Sequence, residues 1–151
     1  MYRASHRLST LAKQVIGKEA GRLVDVEYFK GFAKVTLNNP KALNSLNLQM
    51  IRELSAELPN LNKAKVFWIE GAGGKAFCAG GDVKSLYDGR ESNPKILADF
   101  FREEFTLDYK MTLLNSLQVS NWDGIVMGGG VGLSVFSPFR IATENTLFAM
   151  P

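Results

Sequence analysis

Histidine and cysteine are nearly missing from this sequence. His6 is the only histidine and Cys78 the only cysteine in 151 residues. A single cysteine rules out an intramolecular disulfide and every metal motif built on two or more thiolates. With its one histidine near the N-terminus, the folded part of the chain has no imidazole base. Serine–histidine and cysteine–histidine mechanisms therefore lack a partner there. Cys78 without a base reads as a small apolar core residue. Long apolar runs are also missing: none reaches the roughly 18 residues of a membrane-spanning helix, so no membrane partner is expected. Chemistry in this domain must come from carboxylates and backbone amides.

Excess positive charge is confined to one end. The isoelectric point is near 9.0, but residues 1–20 hold Arg3, Arg7, Lys13 and Lys18 against Glu19 alone. The remaining residues balance 14 basic with 14 acidic side chains. With no basic face to displace counterions from a phosphate backbone, no nucleic-acid partner is expected. The leader has Ser5, Ser9 and Thr10, no acid before Glu19, and Leu8, Leu11, Val15 and Ile16 at helical spacing. This composition predicts an amphipathic basic helix over residues 1–17 and a mitochondrial transit peptide over residues 1–18. The domain then spans 19–151.

That domain, with apolar residues at 46% of the whole chain, is large enough for one core. Period-two alternation over 23–29 and 32–37 around Lys30-Gly31 predicts a hairpin, stopped by Asn38-Asn39-Pro40. A loop follows over 41–46. Asn47 then caps a helix to about residue 58, with Met50, Ile51, Leu54 and Leu58 as its buried stripe. Residues 66–69 read as a buried strand. Asn93-Pro94 opens a long helix carrying Ile96, Leu97, Phe100, Phe101, Phe105 and Leu107. Residues 118–122, 140–143 and 147–150 read as further strands, the last two around Glu144-Asn145. The pattern is α/β, and a chain that stops at Pro151 directly after a strand predicts an interrupted domain.

Two glycine-rich stretches punctuate it: Gly71-Ala72-Gly73-Gly74-Lys75-Ala76-Phe77-Cys78-Ala79-Gly80-Gly81-Asp82, and Asp123-Gly124-Ile125-Val126-Met127-Gly128-Gly129-Gly130-Val131-Gly132. Gly71, Gly73 and Ala76, with Glu91 downstream, fit a dinucleotide fingerprint. That reading puts Gly80-Gly81 inside a helix, at about 1 kcal/mol per glycine. A phosphate-binding loop fails because Ala76 stands where magnesium needs a hydroxyl. A nucleophile elbow fails at Gly132-Leu133-Ser134-Val135-Phe136, which lacks the final glycine. Two readings survive: ordinary tight turns, or two strand-to-helix turns whose N–H groups converge on one carbonyl oxygen as an oxyanion hole.

Lys75-Ala76-Phe77-Cys78-Ala79-Gly80-Gly81-Asp82 and Met127-Gly128-Gly129-Gly130-Val131-Gly132 resemble the crotonase (enoyl-CoA hydratase/isomerase) superfamily. Phe100-Phe101-Arg102-Glu103-Glu104 and Leu147-Phe148-Ala149-Met150-Pro151 narrow the resemblance to its 3-hydroxyisobutyryl-CoA hydrolase branch, over residues 22–151. The resemblance implies a crotonase-like ββα spiral, incomplete at the C-terminus, and a homo-oligomer at full length. It implies acyl-CoA thioester hydrolysis, a step of valine degradation in the mitochondrial matrix. No metal or redox cofactor is implied; coenzyme A enters as part of the substrate. The Gly81 and Gly129 N–H groups would form the oxyanion hole and Glu104 would contact the substrate. Lys41, Ala42 and Leu43, in the loop Lys41-Ala42-Leu43-Asn44, would hold coenzyme A by backbone contacts, and Ala79 and Asp82 would line the same site. Glu103 reads as a solvated neighbour.

The resemblance also implies two attacking carboxylates, one directly after the Met-Pro pair and one eight residues further. Both lie past Pro151, so the chain alone is expected to hydrolyse nothing measurably. Asn115-Ser116-Leu117-Gln118-Val119-Ser120-Asn121 departs from the family pattern of Lys-Pro and a more apolar strand. Asn121 at a buried position would need a polar partner. Two other functions fit the scaffold: an enoyl-CoA hydratase or isomerase, and a non-catalytic acyl-CoA-binding or oligomerisation module.

Overall fold

The computed structural model describes residues 14–15 and 21–151. The alternation over 23–37 forms the expected hairpin. β2 (Val24–Phe29) and β3 (Phe32–Leu37) pair antiparallel, with Val26 opposite Val35. Val24, Val26, Ala33, Val35 and Leu37 put the apolar face of this hairpin in the core. β1 (Gln14–Val15) pairs with Glu27 and Tyr28 on the outer edge of β2. At these two positions the helix expected over residues 1–17 gives way to a strand, because the β2 edge offers unpaired backbone groups. The rest of that helix, and the remainder of the transit peptide, lie outside the described residues.

Beyond the hairpin the main sheet is parallel. β4 (Val66–Gly71) lies against β3, β6 (Leu117–Trp122) against β4, and β8 (Phe139–Ala142) against β6. The strand order is β1-β2-β3-β4-β6-β8. Parallel neighbours need crossovers, and directly after each of β4, β6 and β8 the chain adds a short strand to a second sheet. These are β5 (Ala76–Cys78), β7 (Ile125–Met127) and β9 (Leu147–Ala149), parallel and in that order. The pairs β4/β5, β6/β7 and β8/β9 each contribute one strand to either sheet. Helices α2 (Val83–Gly89) and α3 (Ile96–Thr112) follow the first pair, and α4 (Gly129–Gly132) the second. This is the ββα spiral. Strands β5 and β7 correct the reading of 71–82 and 123–132 as unbroken loops. At three residues each, they are too short for alternation to show.

α1 (Leu48–Leu61) starts where expected: Asn47 Oδ1 accepts the Met50 N–H at 2.9 Å. It runs past the expected end at 58 and buries Leu61 beside Met50, Ile51, Leu54 and Leu58. β6 shows a second correction. Asn121 is only half-buried, and the buried polar side chains are Ser116, Gln118 and Ser120. The Gln118 amide donates to Ser120 Oγ at 3.0 Å and to the Leu133 carbonyl at 2.8 Å, which satisfies two of the buried groups. Among the described residues, no helix is long and apolar enough to cross a membrane.

Candidate functional site

A buried asparagine assembles the site. Asn44 is fully buried with a left-handed backbone (φ 55°), directly after Leu43 (φ 52°). Its Oδ1 accepts the Asn39 N–H, and its Nδ2 donates to the carbonyls of Ala72 and Ala76 at 2.9 and 2.8 Å. One side chain thus ties the loop after β3 to both ends of the first glycine turn. The loop then runs alongside residues 79–82: Ala79 N–H donates to Leu43 C=O, Leu46 N–H to Gly80 C=O, and Asp82 N–H to Leu46 C=O. This short ladder uses the carbonyl before Gly81 and the N–H after it. The Gly81 N–H stays outside it.

The second glycine turn packs on the first. Gly80 has φ +104°, and a methyl there would lie 3.6 Å from the Gly129 nitrogen. A methyl on Gly128 would lie 3.4 Å from Gly80 Cα, so the two turns meet backbone to backbone. Gly129 is the first residue of α4, where an N–H has no partner within its helix. Among the described residues, neither the Gly81 nor the Gly129 N–H has an acceptor.

A carboxylate closes the arrangement. Glu104, on the inner face of α3, is 5% exposed, and burial pushes its carboxyl above the ordinary range. A methyl on Gly129 would fall 2.1 Å from Glu104 Oε1, so only glycine leaves room for that oxygen. Phe100, one turn earlier, packs its ring against Gly81. Glu104 accepts no hydrogen bond among the described residues.

The other residues singled out by sequence take varied places. Asp82 caps α2, with Oδ1 accepting the Ser85 N–H at 3.0 Å, and Ala79 is half-buried in the short ladder. Lys41 and Ala42 lie in the 3-10 turn Pro40–Ala42, Lys41 exposed, and Leu43 is half-buried at its end. Cys78 is buried in β5, its thiol pushed up to about 12 mainly by burial. Glu103 lies at the surface and makes a bidentate ion pair with Arg52 of α1, at 2.7 and 2.8 Å, a partner its sequence context does not show. Ala76 opens a strand where a dinucleotide fingerprint needs a helix, and Glu91 is exposed. Ser134 Oγ donates to the Gly130 carbonyl and accepts from the Trp122 indole, a structural role. Sequence reasoning places Asn44 in the 41–44 loop through its backbone alone and misses its side chain, which joins the two loops. It also misses Asp108, for which Glu104 at i−4 is the signal.

Two sheets extended together by a ββα repeat, with glycine turns meeting between them, define the crotonase fold. The chain belongs to the enoyl-CoA hydratase/isomerase family, whose sequence profile matches residues 32–151. It is 49% identical over 120 residues to mitochondrial 3-hydroxyisobutyryl-CoA hydrolase of Xenopus laevis, covering 78% of this chain and 31% of that protein. The Dictyostelium discoideum protein of the same name is 40% identical over 156 residues, covering 96% and 39%. A carnitinyl-CoA dehydratase structure from Mycobacterium thermoresistibile superposes with TM-score 0.80 at 34% identity, over 87% of this chain and 39% of that one. An enoyl-CoA hydratase from Rhodobacter sphaeroides 2.4.1 gives 0.77 at 30% identity, over 85% and 39%. The chain spans between 31% and 39% of the length of these curated relatives.

Proposed function

We propose that this chain is the acyl-CoA-binding part of a mitochondrial 3-hydroxyisobutyryl-CoA hydrolase. The observation that carries the reading is the pair of unpartnered N–H groups, at Gly81 and Gly129, on glycine turns in contact with each other. Both donate to the thioester carbonyl oxygen and hold it as negative charge develops there. Each such donor contributes about 3 kcal/mol in acyl-transfer sites. Glu104, buried beside Gly129 and without a protein donor, accepts a hydrogen bond from the substrate's hydroxyl. The turn carrying Lys41, Ala42 and Leu43 holds coenzyme A, while Ala79 and Asp82 shape the wall. Coenzyme A enters as part of the substrate, and the reading calls for no metal or redox cofactor. The relatives' names support a mitochondrial location, with homo-oligomerisation of the full-length protein.

On this reading the attacking carboxylates follow Met150-Pro151, so residues 1–151 bind acyl-CoA without turning it over. Calorimetric titration with 3-hydroxyisobutyryl-CoA, which carries the hydroxyl that Glu104 accepts from, tests it. Binding is expected with wild type and is expected to weaken at least about tenfold, or 1.4 kcal/mol, in Gly129→Ala, where the methyl displaces Glu104. Equal affinity of a folded Gly129→Ala variant, or release of free thiol by wild type, contradicts the proposal. The solved hydratases that superpose on this chain favour a hydratase as second reading. Crotonyl-CoA hydration exceeding thioester hydrolysis in the full-length protein would select it.

A further inference from the structure

Glu104 has a companion that the proposed chemistry does not use. Asp108 follows it by one helical turn on α3, so both carboxyls face the same neighbours. Those neighbours are glycines of α4. A methyl on Gly129 would lie 2.1 Å from Glu104 Oε1, and one on Gly132 would lie 2.4 Å from Asp108 Oδ2. Asp108 Oδ1 is buried without a hydrogen-bond partner, as is Ser116 Oγ. Both residues line a cavity of about 130 Å³ between the end of α3, the start of β6 and the turn after α4.

Among the described residues, no cation acts on the pair. The charge acting on Asp108 is that of Glu104, and burial alone acts on Glu104. Helix α4 carries no titratable side chain. β5 contributes Cys78, whose thiol feels both carboxyls, and β6 contributes the uncharged Gln118. The nearby guanidinium groups are engaged elsewhere, Arg102 with Asp99 and Arg52 with Glu103. Two carboxyls one turn apart, half-buried or more and without a counter-charge, do not both ionise at neutral pH.

We propose that Asp108 is a positioning residue that carries one proton for this pair, leaving Glu104 as the sole charge beside the Gly129 N–H and making acyl-CoA binding depend on pH. This role rests on the acyl-CoA reading of the site. Burial and the Glu104 charge push Asp108 up to about 7. Above that value a second negative charge appears one turn from Glu104, and the two carboxylates repel and disturb the placement of Glu104 beside Gly129.

Carboxyl-carbon NMR of the 151-residue chain, titrated from acid to alkaline pH, reads the pair without any ligand. Asp108 and Glu104 are assigned with Asp108→Asn and Glu104→Gln. Asp108 is expected to titrate near 7 and to fall toward the ordinary carboxylate range in Glu104→Gln. An ordinary midpoint in wild type, or one unmoved by Glu104→Gln, overturns the proposal. Calorimetry with 3-hydroxyisobutyryl-CoA then reads the role. Wild type is expected to bind about tenfold more weakly one unit above the Asp108 midpoint than one unit below it, and Asp108→Asn equally at both pH values. A pH step that persists in Asp108→Asn, or in Asp108→Ser should the first variant misfold, overturns it. No binding by wild type at either pH defeats the acyl-CoA reading and the positioning role with it, while the NMR coupling stands or falls separately.

Discussion

Asn44 has three backbone partners contributed by two separate stretches of chain. Replacing it with alanine leaves an N–H and two carbonyls without this partner, the Ala76 carbonyl fully buried and the other two half-buried. Each unsatisfied buried group costs about 1–3 kcal/mol, so Asn44→Ala is expected to lower urea stability by at least about 2 kcal/mol. Asp108 acts in the opposite sense. Its carboxyl is raised from 3.8 to about 7 in the folded chain. The native state therefore holds this proton more tightly than the unfolded chain does, and stability falls as pH rises between those values. Asp108→Asn removes that loss. Its melting temperature is expected to gain on wild type at pH 8 relative to the difference at pH 5. Cys78, buried and pushed up to about 12, is expected to resist iodoacetamide in the native protein at pH 8 and to react in urea.

At the level of elements, helices and long strands were legible because each repeats its pattern several times. The alternation over 23–37 and the stripe Met50, Ile51, Leu54 and Leu58 appear as read. β5 and β7 were not legible: each has three residues and lies within glycine-rich sequence. The polar residues of β6 were misassigned, since burial falls on Gln118 and Ser120 while Asn121 is half-buried. Register decides which of them faces inward, and register is set by β4, not by β6 itself. The glycines of the site are visible as residues, and convergence of their two turns is one of the two readings the sequence leaves open. The choice between them depends on which strands become neighbours, β5 and β7 here. The Arg52–Glu103 pair between α1 and α3 was invisible. It is largely exposed, and Arg52→Ala is expected to cost less than about 1 kcal/mol in a urea titration.

Across the whole molecule, apolar side chains gather on the later strands. Phe136, Phe139, Leu147, Phe148 and Met150 are each at least half exposed, and Phe148 stacks on Trp122 at 5.4 Å. Large exposed apolar patches mark association surfaces. Sedimentation of the 151-residue chain at micromolar concentration is expected to show species larger than a monomer, and Phe139→Lys on the edge strand β8 to shift them toward monomer. The strand order carries a further consequence. β4 bonds to β6 only after the chain has made its excursion through α2 and α3, with Ile69 finally meeting Ser120. Distant pairings of this sort form slowly. The glycine turns on β5 and β7 meet through the β5–β7 pairing, which spans the same excursion, and Phe77, Phe100 and Val126 enter the core with it, so the two turns are expected to come together alongside the long-range core contacts and later than the first hairpin.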